Sequence, residues 1–155
     1  NSSPEILTKV RLLLAGRIDH QSYAFQVLTN LSKLLKEKFL YMGEVASPYK
    51  FYKMIDVLIV PSLIETGAIT VLEGMAAGKI VIASDIYPIN LYIKHGYNGF
   101  LFRSPEDTVK ILHQIISMSS ELKNISRRAQ EYARKHDYKI VCQTLEKIYI
   151  NSSEK

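Results

Sequence analysis

The sequence predicts a three-layer α/β/α domain that contains a parallel sheet of about five or six strands. Short apolar runs alternate with segments of helical periodicity along most of the 155 residues. Alternation of this kind is typical of a parallel sheet covered by helices on both faces. No apolar run approaches the ~20 residues that a membrane-spanning helix needs. The length fits one domain, which we expect to cover residues 1–155.

The first part of the chain predicts two strands, each followed by a helix. Residues 10–16 are an apolar run that ends at a glycine, as a buried strand would. Residues 21–38 carry apolar side chains at helical spacing and end in lysines, which favour a helix C-terminus. A second strand is predicted over residues 39–43. A proline near the first turn then indicates a short helix over residues 47–54.

The middle of the chain predicts three further strands. Residues 57–62, 80–84 and 99–102 are short and mostly apolar, and Gly, Ser or Pro stands at their ends. Between the first two of them, residues 68–77 show helical periodicity, and Gly78 provides a helix stop.

The last third of the chain predicts three helices. Ser104, with the Pro-Glu-Asp that follows it, is typical of a helix start and places a helix over residues 105–118. Ser120 is expected to open the second helix, and residues 138–150 form the third. The single cysteine, Cys142, falls in that last helical pattern and is expected to lie in the core.

Composition and charge restrict the partners and the compartment. The formal net charge of +5 favours phosphorylated ligands, an acidic lipid surface or nucleic acid. Nucleic acid is the least favoured, because the basic residues do not form a stripe with interleaved aromatic residues. One cysteine fits a reducing compartment, so we expect a cytoplasmic protein with the inner face of the membrane as a peripheral contact. The chain begins with Asn1 rather than methionine, which suggests a fragment.

The loop between the third strand and the helix at residues 68–77 is the strongest candidate site. Ligands of parallel sheets bind beyond the carboxyl ends of the strands. Gly67 and Ala68 offer a turn of low bulk, so the backbone N–H groups from Gly67 to Thr70 are expected to point outward without partners. A helix N-terminus attracts anions, and a phosphate or diphosphate is therefore the predicted ligand.

Two acids flank this turn, and each has two interpretations. Glu73 either complements the helix dipole as a surface acid or accepts hydrogen bonds from a vicinal diol such as a ribose. Glu65 stands at a strand end, where it is either a solvated loop acid or a ligand-binding group. After the first strand, Gly16 permits a tight turn, and Arg17 can bind phosphate oxygens through its forked guanidinium. The residues alone leave these alternatives open.

Several segments resemble one known enzyme family. The run PSLIETGAITVLEGMAAGKIVIASD, residues 61–85, resembles the E-x7-E signature of the retaining glycosyltransferases of family 4, the glycogen-synthase-like superfamily. LLLAGRI resembles that family's opening strand with its phosphate-binding arginine, and FLYMGEV followed by YKFYKMIDVLIVPS resembles its base-binding segment. IKHGYNGFLF resembles the family's final strand motif. The similarity covers nearly the whole chain, in the family's order.

The resemblance implies a fold and a set of roles. In this family the C-terminal of two Rossmann-like domains, which together form the GT-B fold, holds a nucleotide-diphosphate sugar. Glu73 would bind the ribose hydroxyls, and Glu65 would lie near the transferred sugar. Glu65 and Arg17 are the implied catalytic residues. The other implied donor contacts are the diphosphate-binding turn, the first glycine turn and the base-binding segment: Thr66, Gly67, Ala68 and Ile69; Gly16; and Gly43, Glu44 and Val45.

The resemblance also implies the partners. The donor would be a UDP- or GDP-sugar, and the acceptor a polysaccharide, a glycan or a lipid-linked molecule. No metal or other cofactor is expected, and the sequence has no Asp-x-Asp metal motif. The family binds its acceptor mainly on an N-terminal domain that residues 1–155 do not contain. This chain alone is therefore expected to bind donor but to transfer little or no sugar.

Three departures from the family pattern favour an alternative, a degenerate non-catalytic module that binds a nucleotide or a sugar. Ser22 stands where the family usually carries a lysine, and His20 is the nearest partial substitute. Ala68 replaces a usual glycine. A strand–helix unit that normally precedes FLYMGEV is missing, so the domain is expected to be abbreviated by one unit.

Overall fold

The computed structural model describes residues 4–19, 21–118 and 120–153. The strands are β1 (Leu12–Leu14), β2 (Phe39–Tyr41), β3 (Val57–Val60), β4 (Ile80–Ser84) and β5 (Phe100–Phe102). The helices are α1 (Pro4–Lys9), α2 (Gln21–Leu35), α3 (Pro48–Met54), α4 (Ile69–Ala76), α5 (Ile89–Tyr92), α6 (Pro105–Ser117), α7 (Leu122–Arg134) and α8 (Tyr138–Ser153). A 3-10 turn over Lys36–Lys38 joins α2 directly to β2.

The strands pair in parallel, as predicted, but they form two sheets. β1 pairs with β2, and β4 lies between β3 and β5. The strands thus form two sheets where the sequence predicts one, whereas the α/β class, the Rossmann-like arrangement and, for the described residues, the number of strands, five, are confirmed. β1 and β2 are three residues long, and Leu14 and Leu40 are 37% and 51% exposed. Strands of three residues offer few backbone hydrogen bonds for pairing with a further strand.

The core lies on both faces of β4, whose five residues are all buried. Val81 and Ala83 face a cluster that contains Val71 and Met75 of α4, both fully buried. Ile80 and Ile82 face the opposite cluster, which includes Phe100, Ile111 and Ile115. A continuous apolar run is what a strand buried on two faces requires.

Close packing fixes α4 against the sheet. Gly74 faces β3 and β4, and a Cβ atom at this position would overlap Leu58 Cδ2 and lie 3.2 Å from Val81 Cγ2. The missing side chain lets the helix approach the strands, so the residues at the head of α4 are held by the core.

The helices at the end of the chain differ from two expectations. Ser120 lies in a turn, and α7 begins at Leu122 with Glu121 as its N-cap residue. Every described side chain of α8 is exposed, and Cys142 is a free, exposed cysteine, so its predicted burial is wrong. Helical spacing of apolar residues shows that a helix has an apolar face, but not that a surface covers it. Within the described ranges, no helix has the length and hydropathy required to cross a bilayer.

Candidate functional site

The site is built on the turn between β3 and α4. Ala68 is the N-cap residue of α4, and its φ of 47° places it in the left-handed region. A residue with a Cβ atom adopts this conformation at a cost of about 1–2 kcal/mol, which a glycine avoids. Ala68 is only 1% exposed, and its carbonyl accepts the N–H of Val71 at 3.0 Å. The backbone N–H groups of Thr66, Gly67 and Ala68 at this turn are directed at the carboxylate of Glu65.

Glu65 folds back over this turn. Its Oε1 accepts the N–H of Thr66 at 3.0 Å and that of Gly67 at 3.3 Å. The hydroxyl of Ser62 lies 3.5 Å from its Oε2. The amides of Ala68, Gly67 and Thr66, in that order of effect, hold the pKa of Glu65 below its ordinary value of 4.5. Glu65 is therefore ionised at neutral pH, and its charge occupies the position at which the sequence predicts a ligand anion.

The prediction of free amides from Gly67 to Thr70 needs correction. The N–H of Gly67 donates to Glu65, and the amide of Ala68 also contributes to lowering the pKa of that acid. The N–H groups of Ile69 and Thr70 have no hydrogen-bond partner within the described residues. A glutamate two residues before a tight turn can reach the amides of that turn, so the protein itself caps part of the helix end.

Glu73 lies at the second turn of α4 and is fixed by a neighbouring helix. The hydroxyl of Tyr52, on α3, donates to Glu73 Oε2 at 2.8 Å. Tyr52 is buried and Glu73 is exposed. Burial first, and then the hydrogen bond and charge of Glu73, raise the pKa of Tyr52 well above its ordinary value of 10.0. The hydroxyl therefore keeps its proton and acts as a donor.

Sequence reasoning missed Tyr52. Residues 52 and 73 belong to different helices, and no spacing rule connects them. The available signal was weak: Tyr52 lies in the stretch YKFYKMIDVLIVPS, which the resemblance assigns to the base-binding segment as a whole without a role for this side chain.

The sheet formed by β1 and β2 brings together two predicted parts of the donor site, the first glycine turn and the base-binding segment. Gly16 and Gly43 follow the two strands, and both have positive φ values, 143° and 65°. The N–H of Gly16 donates to the carbonyl of Gly43 at 2.8 Å, and the hydroxyl of Tyr41 donates to the carbonyl of Gly16 at 2.8 Å. Glu44 is exposed and Val45 is half-buried. The first glycine turn and the predicted base-binding segment are thus adjacent.

Arg17 is exposed and engaged in a local ion pair. Its Nε donates to Asp19 Oδ1 at 2.8 Å, and the two side chains are 72% and 67% exposed. A pair this exposed contributes little to stability, so the guanidinium can exchange Asp19 for another anion. Ser22, at the position of the family lysine, is exposed on α2, and His20 lies outside the described residues.

Two grooves in the described part of the chain lie away from the paired acids. One of about 420 Å³ follows β4 and β5 and is lined in part by Asp85, His95 and Arg103. The other, of about 600 Å³, lies beside α2 and includes Ser22 and Phe25. Neither is lined by Glu65, which is half-buried in the loop after β3, or by Glu73, which is exposed on α4. Among the described residues, no group of three or more His, Cys, Asp or Glu side chains is placed to hold a metal ion.

The arrangement at the head of α4 suits a ligand that carries both hydroxyl and phosphate groups. Carboxylates accept hydrogen bonds from hydroxyls, and backbone amides at a helix end donate to phosphate oxygens. Along the chain, Glu65 precedes and Glu73 follows the amides of Ile69 and Thr70.

Comparisons with known proteins relate the chain to sugar-transferring enzymes. The sequence pattern that defines the glycosyl transferases group 1 matches residues 3–136. An uncharacterized glycosyltransferase of Methanocaldococcus jannaschii is 28% identical over 148 residues, which are 93% of this chain and 41% of the relative. The alpha-monoglucosyldiacylglycerol synthase of Acholeplasma laidlawii is 25% identical over 105 residues, which are 68% of this chain and 26% of that enzyme.

A crystal structure with bound ligands shares the fold. Anabaena HepE in complex with UDP and glucose superposes with a TM-score of 0.80 and 21% sequence identity, over 98% of this chain and 45% of that protein. Identity at this level shows the fold alone. The chain spans less than half the length of each of these three proteins.

Proposed function

The chain belongs to the group 1 glycosyltransferases, and we propose that it is the donor-binding domain of a retaining, family 4 enzyme with the GT-B fold. The enzyme transfers a hexose from a UDP- or GDP-sugar to a glycan or a lipid-linked acceptor. The observation that carries this proposal is the head of α4, where the Glu65 carboxylate already accepts backbone N–H groups of the turn and a second acid, Glu73 of the same helix, is held by Tyr52 of α3. The UDP and glucose bound to Anabaena HepE support a nucleotide-sugar donor. The Acholeplasma relative is named as an alpha-monoglucosyldiacylglycerol synthase, and this name supports a lipid-linked acceptor.

The diphosphate of the donor lies at the head of α4. The unpartnered N–H of Ile69 donates to it, together with the amides of Gly67 and Ala68 once Glu65 has left them. Arg17 approaches from the turn after β1 and exchanges Asp19 for a phosphate oxygen. The carboxylate of Glu65 thus contacts an amide, that of Gly67, which we assign to the diphosphate.

The two acids recognise the two sugars of the donor. Glu73 accepts hydrogen bonds from the ribose hydroxyls, and its Oε1 has no partner within the described residues. Glu65, released from the amides, reaches the transferred sugar and supports the positive charge that develops at its anomeric carbon. Gly43, Glu44 and Val45 contact the base, mainly through backbone groups.

Catalysis by these residues is electrostatic. Transfer expels a nucleoside diphosphate, and its negative charge grows in the transition state. The amides at the head of α4 and the Arg17 guanidinium are donors aimed at that charge, and the loss of one such donor costs about 3–4 kcal/mol of transition-state stabilisation. We assign no metal ion to the reaction, because the sequence has no Asp-x-Asp motif.

The acceptor binds to a second, N-terminal domain in the longer protein. The chain corresponds to 41% of the Methanocaldococcus relative and 45% of Anabaena HepE, which leaves room for such a domain. The open surface around Glu65 and Glu73 then forms one wall of a cleft between the two domains. We place the enzyme in the cytoplasm, with a peripheral contact to the membrane through its net positive charge.

Calorimetry with UDP and GDP tests donor binding by the 155-residue chain. We expect one of the two nucleotides to bind, and Glu73→Ala to weaken that binding about tenfold or more through the loss of charge-assisted hydrogen bonds. Glu37→Ala is the matched control, since Glu37 is an exposed acid in the 3-10 turn before β2. The absence of heat with both nucleotides at millimolar concentration would contradict the proposal.

A degenerate binding module is the second candidate, and two observations favour it. Ser22 occupies the position of the family lysine, and Arg17 is paired with Asp19 rather than free. Such a module would bind UDP or GDP but would support no transfer. Assay of the longer protein for sugar transfer and for donor hydrolysis distinguishes the two, because the enzyme releases nucleoside diphosphate and the module releases none.

A further inference from the structure

We propose that Tyr52 is a positioning residue of the donor site. Its buried hydroxyl holds the Glu73 carboxylate in the orientation that receives a ribose, and it thereby sets the preference for ribonucleotides over 2′-deoxyribonucleotides. This inference rests on the proposed function, since it specifies how the same site selects its nucleotide.

Tyr52 is itself firmly held. It is 6% exposed and belongs to the core cluster that also contains Val71 and Met75 of α4. Its ring meets the ring of Phe51 edge to face, with a centroid distance of 6.1 Å. The hydroxyl therefore projects from a fixed ring, and its acceptor, Glu73 Oε2 at 2.8 Å, takes a defined position.

The carboxylate held by Tyr52 keeps its capacity for a ligand. An ionised glutamate offers about four lone-pair sites, and one of them is occupied by the Tyr52 hydroxyl. Within the described residues, no lysine, arginine or histidine forms an ion pair with Glu73. Tyr52 is accordingly the one described side chain that orients this acid. A glutamate already held in one rotamer loses less conformational entropy when a ligand binds.

The hydroxyl of Tyr52 serves this contact rather than the core. A phenylalanine would fill the same apolar space, and a buried hydroxyl is unfavourable unless it is hydrogen-bonded. The raised pKa of Tyr52 keeps the proton on the phenol, so Glu73 remains the acceptor in this pair and stays available to accept from a diol.

The position of α3 in the chain also supports a positioning role for Tyr52. This helix starts at Pro48, directly after the segment Gly43–Ser47, and that segment follows β2. The Tyr52 hydroxyl thus links the helix that follows the proposed base contacts to the acid proposed for the ribose. A nucleoside presents its base and its ribose at a fixed separation, and this link sets the matching separation in the protein.

The test compares ribo- and deoxyribonucleotides on the full 155-residue chain. Dissociation constants are measured by calorimetry for UDP, 2′-deoxy-UDP, GDP and 2′-deoxy-GDP with the wild type, Tyr52→Phe, Glu73→Gln and the double variant. We expect Tyr52→Phe to reduce the ribo-to-deoxy preference about threefold to tenfold, the range that the loss of one ordinary hydrogen bond supports, because the Glu73 carboxylate itself remains in place. In the Glu73→Gln background, the same substitution should leave the preference unchanged.

Tyr49→Phe is the matched control, because Tyr49 lies on the same helix but is 62% exposed. It should leave the preference at the wild-type value. The preference is a ratio within one protein, so a modest loss of stability in Tyr52→Phe does not affect it, and the melting temperature of each variant is recorded alongside.

Each other outcome overturns a defined part of the reasoning. If the wild type binds neither nucleotide, the proposed function fails, and the role of Tyr52 fails with it. If the wild type binds without preferring the ribonucleotide, the ribose contact of Glu73 and its positioning by Tyr52 are both wrong. If Glu73→Gln abolishes the preference while Tyr52→Phe retains it in full, the proposed function stands and the positioning role is overturned. If Tyr52→Phe loses affinity equally for the ribonucleotide and for its 2′-deoxy form, the hydroxyl has only a structural role, and the positioning role is overturned.

Discussion

Removal of the Glu65 side chain should strengthen the binding of a nucleoside diphosphate. A bound diphosphate would compete with Glu65 for the amides of Gly67 and Ala68: the N–H of Gly67 donates to the Glu65 carboxylate at 3.3 Å, and the amide of Ala68 makes the largest contribution to the lowered pKa of that acid. The carboxylate is partly exposed, so each bond is assigned about 0.5 kcal/mol, the low end for a hydrogen bond in a protein. Two such bonds amount to about 1 kcal/mol, and Glu65→Ala should therefore bind UDP or GDP about fivefold more tightly.

The assay is calorimetry of the wild type and Glu65→Ala with the nucleotide that the chain prefers and with its glucose conjugate. The gain should appear for the nucleoside diphosphate and should be smaller or absent for the sugar nucleotide, because the variant also lacks the acid proposed to contact the sugar. Removal of a nearby negative charge would strengthen anion binding in any case. High ionic strength screens that repulsion, whereas the vacated amides remain, so the gain should persist in salt.

An unchanged or weakened affinity of Glu65→Ala for the nucleoside diphosphate would refute this reasoning. It would show that the diphosphate does not use the amides that Glu65 occupies. Glu37→Ala again serves as the control for loss of one acid at a distance, and it should match the wild type in both titrations.

Two further predictions concern stability. Gly74→Ala should lower the free energy of unfolding by about 1–2 kcal/mol, measured by urea denaturation. The overlap of the new Cβ atom with Leu58 and Val81 outweighs the ~1 kcal/mol by which alanine is the better helix former. Equal or higher stability would show that α4 has room to move. The depressed pKa of Glu65 stabilises the folded chain above the ordinary value of 4.5, and this contribution is lost as the pH falls toward the depressed pKa. The melting temperature of the wild type should therefore fall more steeply below pH 4.5 than that of Glu65→Ala, and parallel profiles would contradict the capping contact.

The elements around the site could be predicted because each is determined by a short stretch of sequence. β4 was predicted over residues 80–84 and found over Ile80–Ser84, since a run buried on both faces must be apolar throughout. The helix predicted over residues 68–77 is α4, and Gly78, with a φ of 72°, stands directly after its C-cap residue. Strand pairing was not predictable in the same way. The separation of β1 and β2 from the other strands depends on which distant segments meet, and periodicity carries no information about that.

The positions of the site residues were easier to predict than their contacts. The strand-end rule placed Glu65 and Gly16 at the carboxyl ends of strands, and the structure has them there. The closure of Glu65 over its own turn depends on a side-chain rotamer. The bond between Tyr52 and Glu73 depends on the packing of α3 against α4. The first is a local rotamer choice and the second a tertiary contact, and a linear pattern of residue types specifies neither.

The division of the strands into two sheets affects what a dissociation constant of this chain would measure. The β1–β2 ladder is three residues long and half-exposed, whereas β4 is enclosed, so local opening of the first sheet requires less free energy than opening of the second. Arg17 and Gly43 depend on the weaker sheet, and Glu65 and Glu73 on the stronger one. A nucleotide that contacts both binds fully only to molecules in which the weaker sheet is formed. The measured dissociation constant therefore depends on the equilibrium between the formed and the opened β1–β2 sheet. Substitutions in β1 or β2 would then change nucleotide binding without any contact to the ligand.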